Sequence, residues 1–553
     1  MPSEPLPDRS DLGVRGRRDA GLALAAFVLL TFIHTWPLIT APATLSRNDN
    51  ADAVLNEWTL AWVAHQLPRH PLQLFQANIF YPEPNTLAFS EHLFVQSVLG
   101  LPAFALGASP VLAFNILLFA GFALSGWAMY LLIVQWTGDR AAAFVAGSLT
   151  AFNAHVFTRL PHMQALHVEF IPAIVYALDR FLERPDPRRA TLLAVCFAAQ
   201  SLTSNYWMAF LAVAVPVAAL ASVEDWRGPR LRIIAGPALL AAVLASAILF
   251  PFLLPYYHAN TTQGLTRTLR DAAWYSGSWR DYLSTGTQMH FRAWSHHFWQ
   301  PGESTALFPG FAATLLAIVA VVAGRGLKER RVRLWAVLAI VAFLISFGTR
   351  FPGYSVLYRL MPLLQGVRAP ARAGHLVLIA VAALAGLGLA TLRQRYAGRR
   401  WVPAATVAVF LIVTVEAFRA PIGYVAANLP GRTYAILAQE RRAVVAEFPM
   451  PEPRNPGPNA QYMLNSTRHW KPLVNGYSGF VPASYFRHWE RLQSFPSVES
   501  LLALSDIGVT HVIAHLDAMP PFVAPPALQL IAEADGVAVY RFHPERIGFQ
   551  FQP

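Results

Sequence analysis

Long apolar runs, separated by short breaks that carry arginine, recur from Ala20 to Phe418. Runs of this length suit helices crossing ~30 Å of hydrocarbon, so the pattern predicts a polytopic membrane protein. The spans read as residues 20–40, 111–134, 140–157, 165–182, 190–203, 206–222, 231–254, 308–324, 334–347, 373–391 and 402–418, about eleven in all, several of them short or tilted. Leu93–Gly107 is also apolar, but it is short and holds Pro102, so it reads as a re-entrant or interfacial helix. Loop charge decides that reading. If this stretch crossed, Glu183–Arg189 would fall outside; if it does not, every arginine-rich loop falls inside, as the positive-inside rule expects. Those loops carry Arg140, Arg184, Arg188, Arg189, Arg227, Arg230, Arg232, Arg325, Lys328, Arg330, Arg331, Arg333, Arg393, Arg395, Arg399 and Arg400.

After Phe418 the apolar runs stop, and proline and charge increase. Ala443–Phe448, Thr510–Ala514 and Val537–Phe542 read as buried strands, and Val498–Ser505 as a helix leading into the second of them. The expected fold is therefore mainly α, a polytopic transmembrane helical bundle with its N-terminus in and its C-terminus out. It divides into a cytoplasmic tail (1–19), a transmembrane catalytic domain (20–419) with a first outer loop (41–110), and a small extracytoplasmic α/β domain (420–553).

Composition agrees. Hydrophobic residues make up 55% of the chain and charged residues 13%, against roughly 25% charged in a soluble domain. The net charge of +12 lies in short loops and forms no basic stripe interleaved with aromatics, which argues against nucleic-acid binding. The single cysteine, Cys196, excludes an intramolecular disulfide and a cysteine zinc site. Arg9, Arg15, Arg17 and Arg18 precede a run too long for a signal core, so the first span reads as uncleaved.

The candidate chemistry gathers in the first outer loop. Arg47–His92 holds Asp49, Asp52, Glu57, Glu83 and Glu91 with His65, His70 and His92, in a chain otherwise poor in acids. At helical spacing Leu55, Trp58, Trp62 and His65 share one side of Asp52–Leu67, and Asp52, Asn56, Thr59 and Gln66 share another. Two tryptophans on the apolar side predict a helix in the lipid headgroup layer, with Asp52 facing a cavity from its first turn. Asn-Asp-Asn-Ala-Asp is equally how an ordinary helix is capped, so either aspartate serves capping or chemistry on this evidence.

The later outer loops are rich in His, Trp, Tyr and Asn. Ala151–His167 carries His155, Arg159, His162 and His167, and Ser204-Asn205-Tyr206 forms a tight turn. Tyr256–Phe308 carries eight aromatic residues from Trp274 to Trp299, and Gly348–Arg372 carries Arg368 and Arg372. Asp49/Asp52, Glu91-His92, Arg159/His162 and Arg368/Arg372 are positioned to converge. A carboxylate takes a proton from an acceptor hydroxyl, and arginine forks neutralise a departing phosphate. The catalytic candidates are Asp52 and Asp49; the substrate-binding candidates are Glu91, His92, Arg159, His162, Tyr206, Arg368 and Arg372. Bland alternatives stand beside them: Arg368 and Arg372 as interfacial anchors, the histidines as satisfied helix-end residues, and the aromatic loop as a headgroup belt. Asp49 and Asp52, helped by Glu91, also form a candidate divalent-cation site, since hard cations favour carboxylate oxygen. No other cofactor is indicated.

YPEPNTLAFSEH, FTRLPHMQALHVEFIP, LQGVRAPARAG and HWKPLVNGYSGFVP, with the acidic first loop, the many spans and the outer C-terminal domain, resemble bacterial members of the GT-C superfamily of integral-membrane glycosyltransferases. That superfamily includes protein mannosyltransferases and lipid A aminoarabinose transferases. The resemblance implies inverting transfer of a sugar from a polyprenyl-phosphate or -diphosphate donor to a glycan, lipid or protein acceptor, at the outer face of the cytoplasmic membrane. It places the catalytic aspartate in the first outer loop, at Asp49 or Asp52. Where the family often has a second acid, this chain has Arg159 and His162, with Glu169 deeper in the following span. The competing class is a polytopic transporter or lipid flippase. Such proteins hold ionisable residues at mid-membrane and often show inverted repeats, neither of which this sequence displays.

Overall fold

The computed structural model describes residues 14–222, 226, 228–299, 305–323 and 326–548. Residues 1–13, Arg227 and Arg325 lie outside the described residues, and so do the expectations placed on them.

The chain is mainly helical. α1 (Val14–His34) leads into the first loop, whose long helix is α2 (Ala51–Gln66). α3 (Phe94–Ala105) has 12 residues, so it rises about 18 Å and falls short of a bilayer core. α4 (Pro110–Thr137) begins with the Ser109 side chain capping the Leu112 amide and ends at Gly138 in the left-handed region. Asp139 then caps α5 (Arg140–Ala151) by accepting from the Ala141 and Ala142 amides. The short α6 (Ala154–Thr158) and α7 (Met163–Leu166) precede α8 (Phe170–Glu183), α9 (Pro187–Thr203), α10 (Asn205–Leu220) and α11 (Pro229–Gln263). α12 (Leu269–Trp274) and α13 (Gln288–Ala293) lie in the aromatic loop. α14 (Phe311–Val322), α15 (Arg330–Ser346), α16 (Pro352–Leu360), α17 (Gly374–Arg395) and α18 (Val402–Ala417) complete the bundle, with α17 packed against α5, α14 and α15.

Helices stand at each position read as a span, and two of those positions, 140–157 and 165–182, hold broken helices. Among the described residues four helical stretches are long and apolar enough to cross a membrane by length and composition: Pro110–Thr137, Arg140–Thr158 (interrupted between α5 and α6), Pro229–Gln263 and Pro370–Arg395. The other expected spans are shorter or carry more charge.

The bundle has two chemically different ends. At one end arginines pair with acids on neighbouring segments. Arg140 meets Asp19, Arg393 meets Asp139 at 2.5 Å, and Arg330 and Arg331 reach the two oxygens of buried Asp179 at 2.8 and 3.0 Å. α4 measures the distance to the other end. Near its start Asn115 donates to the Pro42 and Leu45 carbonyls of the first loop, both at 2.7 Å. Near its finish the Trp136 carbonyl accepts from Arg331. From Asn115 to Trp136 an α-helix rises about 32 Å, close to the thickness of a bilayer core.

The C-terminal residues build a four-stranded sheet in the order β3 (Val445–Phe448), β4 (His511–His515), β6 (Val537–Phe542), β5 (Leu528–Ala534). β3 and β4 run parallel and the other pairs antiparallel. The two-residue alternation of a strand sorts its side chains into two cores. Val445, Ile513 and Val539 join the first-loop tryptophans and α19 (Asn459–Ser466). Ala446, Val512 and Ala538 join Leu501 and Leu504 of α21 (Val498–Ile507), which packs beside α20 (Ala483–Leu492). A two-strand ribbon, β1 (Leu45–Ser46) with β2 (Val425–Ala426), ties the first loop to the chain after α18.

This packing corrects one expectation. α2 does not present its tryptophans to a headgroup layer: Trp58 is 1% exposed and Trp62 5%. The return of the first loop and the C-terminal segment cover them. Trp62 donates to the Leu74 carbonyl at 2.9 Å, and the Trp470 ring lies 5.9 Å away.

Candidate active site

At the end away from the paired arginines, the first loop, the start of α10, the end of α11 and the segments 265–267, 362–372 and 477–480 enclose a cavity of about 510 Å³. That volume suits a small ligand. Its charged and polar wall includes Asp52, Glu91, His162, Asn205, Tyr206, Arg267, Arg368, Arg372 and Tyr477.

Asp52 stands in the first turn of α2. Neither aspartate caps that helix; Asn50 does, its side chain accepting the Asp52 amide at 2.9 Å. The Asp52 side chain is therefore available to the cavity. Its Oδ1 accepts from the Tyr477 hydroxyl at 2.6 Å, and its Oδ2 lies 3.2 Å from His162 Nε2. Burial pushes the Asp52 carboxyl up, but the His162 and Tyr477 hydrogen bonds and the Arg372 charge prevail and hold it well below the usual carboxylate range. Burial in turn holds His162 down to about 4, ahead of the upward pull of its Asp52 hydrogen bond and the downward push of Arg372 and Arg159. At neutral pH the pair is thus a carboxylate accepting from a neutral imidazole.

Glu91 sits deeper. Its Oε1 accepts from the hydroxyl of Ser204, which also caps α10 through the Tyr206 amide. Burial pushes the Glu91 carboxyl up to about 7, against the pull of Ser204, Arg372 and the Tyr206 and Asn205 amides. The cavity thus holds two acids with widely separated proton affinities.

Three arginines lie on aromatic rings. Arg372 is 4.7 Å from the Tyr206 ring centre, Arg368 is 4.3 Å from Tyr275, and Arg267 is 3.7 Å from Phe480. Arg368 also donates to the Tyr275 hydroxyl and Arg267 to the Gly479 carbonyl. The ring contacts hold the guanidinium groups in place and leave N–H groups for an anion.

Of the residues singled out in the sequence, Asp52, Glu91, His162, Tyr206, Arg368 and Arg372 line the cavity. Asp49, His92 and Arg159 do not. Asp49 is paired with Arg47 at 2.9 Å and its side chain is 45% exposed. The Nδ1 of His92 accepts the Phe94 amide at the start of α3, among the rings of Phe75, Phe252 and Tyr256. Arg159 is turned to the Thr305 hydroxyl at 3.1 Å. The cation site expected at Asp49 and Asp52 is not assembled, because Arg47 engages one carboxylate and Tyr477 and His162 engage the other. No group of three His, Cys, Asp or Glu side chains among the described residues is arranged to hold a metal ion.

Sequence reasoning missed Arg267, Tyr256, Asn205 and Tyr477. Arg267 is one of four arginines in the aromatic loop, with Arg270, Arg280 and Arg292, and nothing local singles it out; Asn205 lies in the Ser204-Asn205-Tyr206 turn. Tyr477 lies between two glycines in Asn-Gly-Tyr-Ser-Gly, a spacing that permits close backbone approach.

The helical bundle, with an acid on a first-loop helix and a basic cavity at one end, has a GT-C-like membrane glycosyltransferase fold. The structure matches the arabinofuranosyltransferase AftD from Mycobacteria with a TM-score of 0.59 at 16% identity, over 97% of this chain. The chain spans 40% of the length of that protein, and the likeness is one of fold. ArnT from Cupriavidus metallidurans aligns over 97% of this chain and 100% of its own, at 12% identity and a TM-score of 0.49. The archaeal oligosaccharyltransferase AglB from Archaeoglobus fulgidus aligns over 91% of this chain and 70% of its own, at 11% identity and a TM-score of 0.47. No known sequence family and no curated protein matches the chain.

Proposed function

We propose that the protein is a membrane glycosyltransferase that takes a sugar from a polyprenyl-phosphate-linked donor. The observation that carries this reading is one cavity lined by Asp52, gripped by Tyr477, together with three arginines that lie over aromatic rings. The acceptor is a glycan, lipid or protein of the cell envelope, and transfer takes place at the outer face of the cytoplasmic membrane. In this orientation residues 420–553 are an extracytoplasmic α/β domain, the end rich in paired arginines faces the cytoplasm, and the helices of 20–419 form the multi-pass catalytic domain.

Asp52 accepts the proton of the acceptor hydroxyl. The hydroxyl oxygen forms a bond to the anomeric carbon while the bond from that carbon to the phosphate oxygen breaks. The electron pair leaves with the phosphate, and Arg372, Arg368 and Arg267 stabilise its charge. Attack opposite the departing phosphate inverts the anomeric centre. Glu91, His162 and Tyr206 contact the sugar or acceptor from the same wall.

A second reading is favoured by one observation, the rise of Glu91 to about 7. A general base works best when its proton affinity lies near the working pH, and by that criterion Glu91 is the base and Asp52 a fixed negative charge.

The test is turnover by the purified full chain in liposomes, supplied with a panel of synthetic polyprenyl-phosphate pentoses and hexoses. Release of polyprenyl phosphate and an inverted glycosidic product are expected. Movement of the intact lipid across the bilayer without release would establish a flippase instead.

A further inference from the structure

The segment after α19 enters the cavity from outside the helical bundle, and its course is fixed by the first loop. The Phe80 amide donates to the Asn475 carbonyl at 3.0 Å, the Tyr81 amide to the Leu473 carbonyl at 2.9 Å, and the Leu473 amide to the Asn78 carbonyl at 2.9 Å. Two glycines bring the segment close. A Cβ at Gly476 would sit 2.6 Å from the Phe80 ring, and one at Gly479 would sit 2.9 Å from the Phe89 carbonyl oxygen. Between them, the Tyr477 amide donates to Met463 Sδ at 3.0 Å and its hydroxyl to Asp52 Oδ1 at 2.6 Å.

We propose that Tyr477 is a positioning residue for the transfer reaction: it aims the Asp52 carboxylate, so a segment outside the bundle completes the site. The inference rests on the reading of Asp52 as the base. His162 Nε2 holds Oδ2 from the segment between α6 and α7, while Tyr477 holds Oδ1 from the C-terminal side. Gripped by two elements, the carboxylate cannot turn freely, and one lone pair of each oxygen stays open to an acceptor hydroxyl. The charged and titratable groups facing Asp52 are His162, Arg159, Arg372 and Tyr477, with Arg368 acting on Tyr477. Burial, with the adjoining Asp52 charge, pushes the Tyr477 phenol above its ordinary value, so it remains an O–H donor throughout the working pH range.

The hydrogen bond favours ionised Asp52, so its loss must raise the pH at which Asp52 titrates. A bond to a charged group is worth enough to move that midpoint by about one pH unit. The test is difference infrared titration of the carboxylate bands in the detergent-solubilised full chain. Asp52→Asn identifies the Asp52 band, and Tyr477→Phe removes the donor alone. The expected result is an upward shift of the Asp52 midpoint in Tyr477→Phe, and a downward shift when trifluorotyrosine, a stronger donor, replaces Tyr477. An unchanged or lowered midpoint in Tyr477→Phe overturns the proposal, whatever happens to thermal stability. The readout needs no substrate. If Asp52→Asn keeps full turnover, the base reading fails, while the titration still decides the Tyr477 contact.

Discussion

The Asp52 carboxylate and the Tyr477 hydroxyl are hydrogen-bonded at 2.6 Å across 425 residues of sequence. That contact joins the first loop to the C-terminal segment at the point where the chemistry is assigned. The β1–β2 ribbon and the backbone bonds between 78–81 and 473–475 make the same connection elsewhere.

Asp52 and Asp49 are separable by experiment. Asp52→Asn keeps the shape of the side chain and removes its basicity. Turnover with a polyprenyl-phosphate sugar should fall by ~10²–10⁴-fold; Asn50 retains the helix cap, and the stability lost with the carboxylate's His162 and Tyr477 contacts is read separately by thermal denaturation. Asp49→Asn breaks only an exposed pair with Arg47, of a kind worth ~0–1 kcal/mol, and should leave turnover within a few-fold of wild type. The reverse ranking of the two variants would move the base to Asp49.

The arginines should differ in a graded way. Arg372 adjoins both acids, so Arg372→Ala should lower kcat and kcat/KM together, the signature of a contact made in the transition state. Lysine should restore little at Arg368 or Arg372, because an ammonium cannot fork to two phosphate oxygens from its place over Tyr275 or Tyr206. Arg267→Ala should lower kcat and kcat/KM in the same sense but less than Arg372→Ala, since Arg267 lies over Phe480 at the C-terminal edge of the cavity. Steady-state kinetics of the three alanine variants checks this, and unchanged constants in all three would reduce them to surface anchors.

Much of this arrangement was legible in the chain. Hydrophobic periodicity placed the helices, and the strands expected at 443–448, 510–514 and 537–542 were found within two residues of those bounds. β5 escaped because it is an edge strand with several exposed positions and so lacks a buried stripe. Asp52 could be singled out because acids are scarce and it opens an apolar run; Asp49 could not be told from it, because the partner that removes Asp49 from the site, Arg47, is a matter of side-chain direction. Tyr477 and Arg267 were out of reach for another reason. Their places depend on how the C-terminal segment docks on the first loop, and no local pattern encodes that register.

Glu91 predicts a pH dependence with a definite sign. Burial raises its carboxyl from 4.5 to about 7, so folding favours the protonated form. Relative to the unfolded chain, this group favours the fold fully below pH 4.5. That advantage is lost as the pH rises through 7, by an amount on the order of 3 kcal/mol. Glu91→Gln carries no such titration, so the stability of the variant relative to wild type should improve between pH 4.5 and 7. Glu57, also raised to about 7 by burial, contributes equally to both proteins and cancels. Activity separates the two acids: with Asp52 as base, kcat holds down to about pH 5, whereas with Glu91 as base an acidic limb appears near 7 and disappears in Glu91→Gln. Denaturation and pH–rate profiles of the two proteins provide both readouts.

Trp62 tests whether the first-loop helix is core or headgroup anchor. Its ring packs against Trp58 and Trp470, and its indole N–H satisfies the Leu74 carbonyl. Trp62→Ala opens a void among side chains from two distant parts of the chain and strips that carbonyl of its donor. Truncation of a buried tryptophan costs ~3–5 kcal/mol, and α2 also carries Asp52. The variant should therefore unfold at lower denaturant in detergent, become more sensitive to proteolysis between α19 and α20, and lose turnover alongside stability. A tryptophan lying in the headgroup layer gives a different result. Its removal would leave denaturation in detergent unchanged and alter only the depth at which the helix sits in a bilayer, and that outcome would reinstate α2 as an interfacial helix.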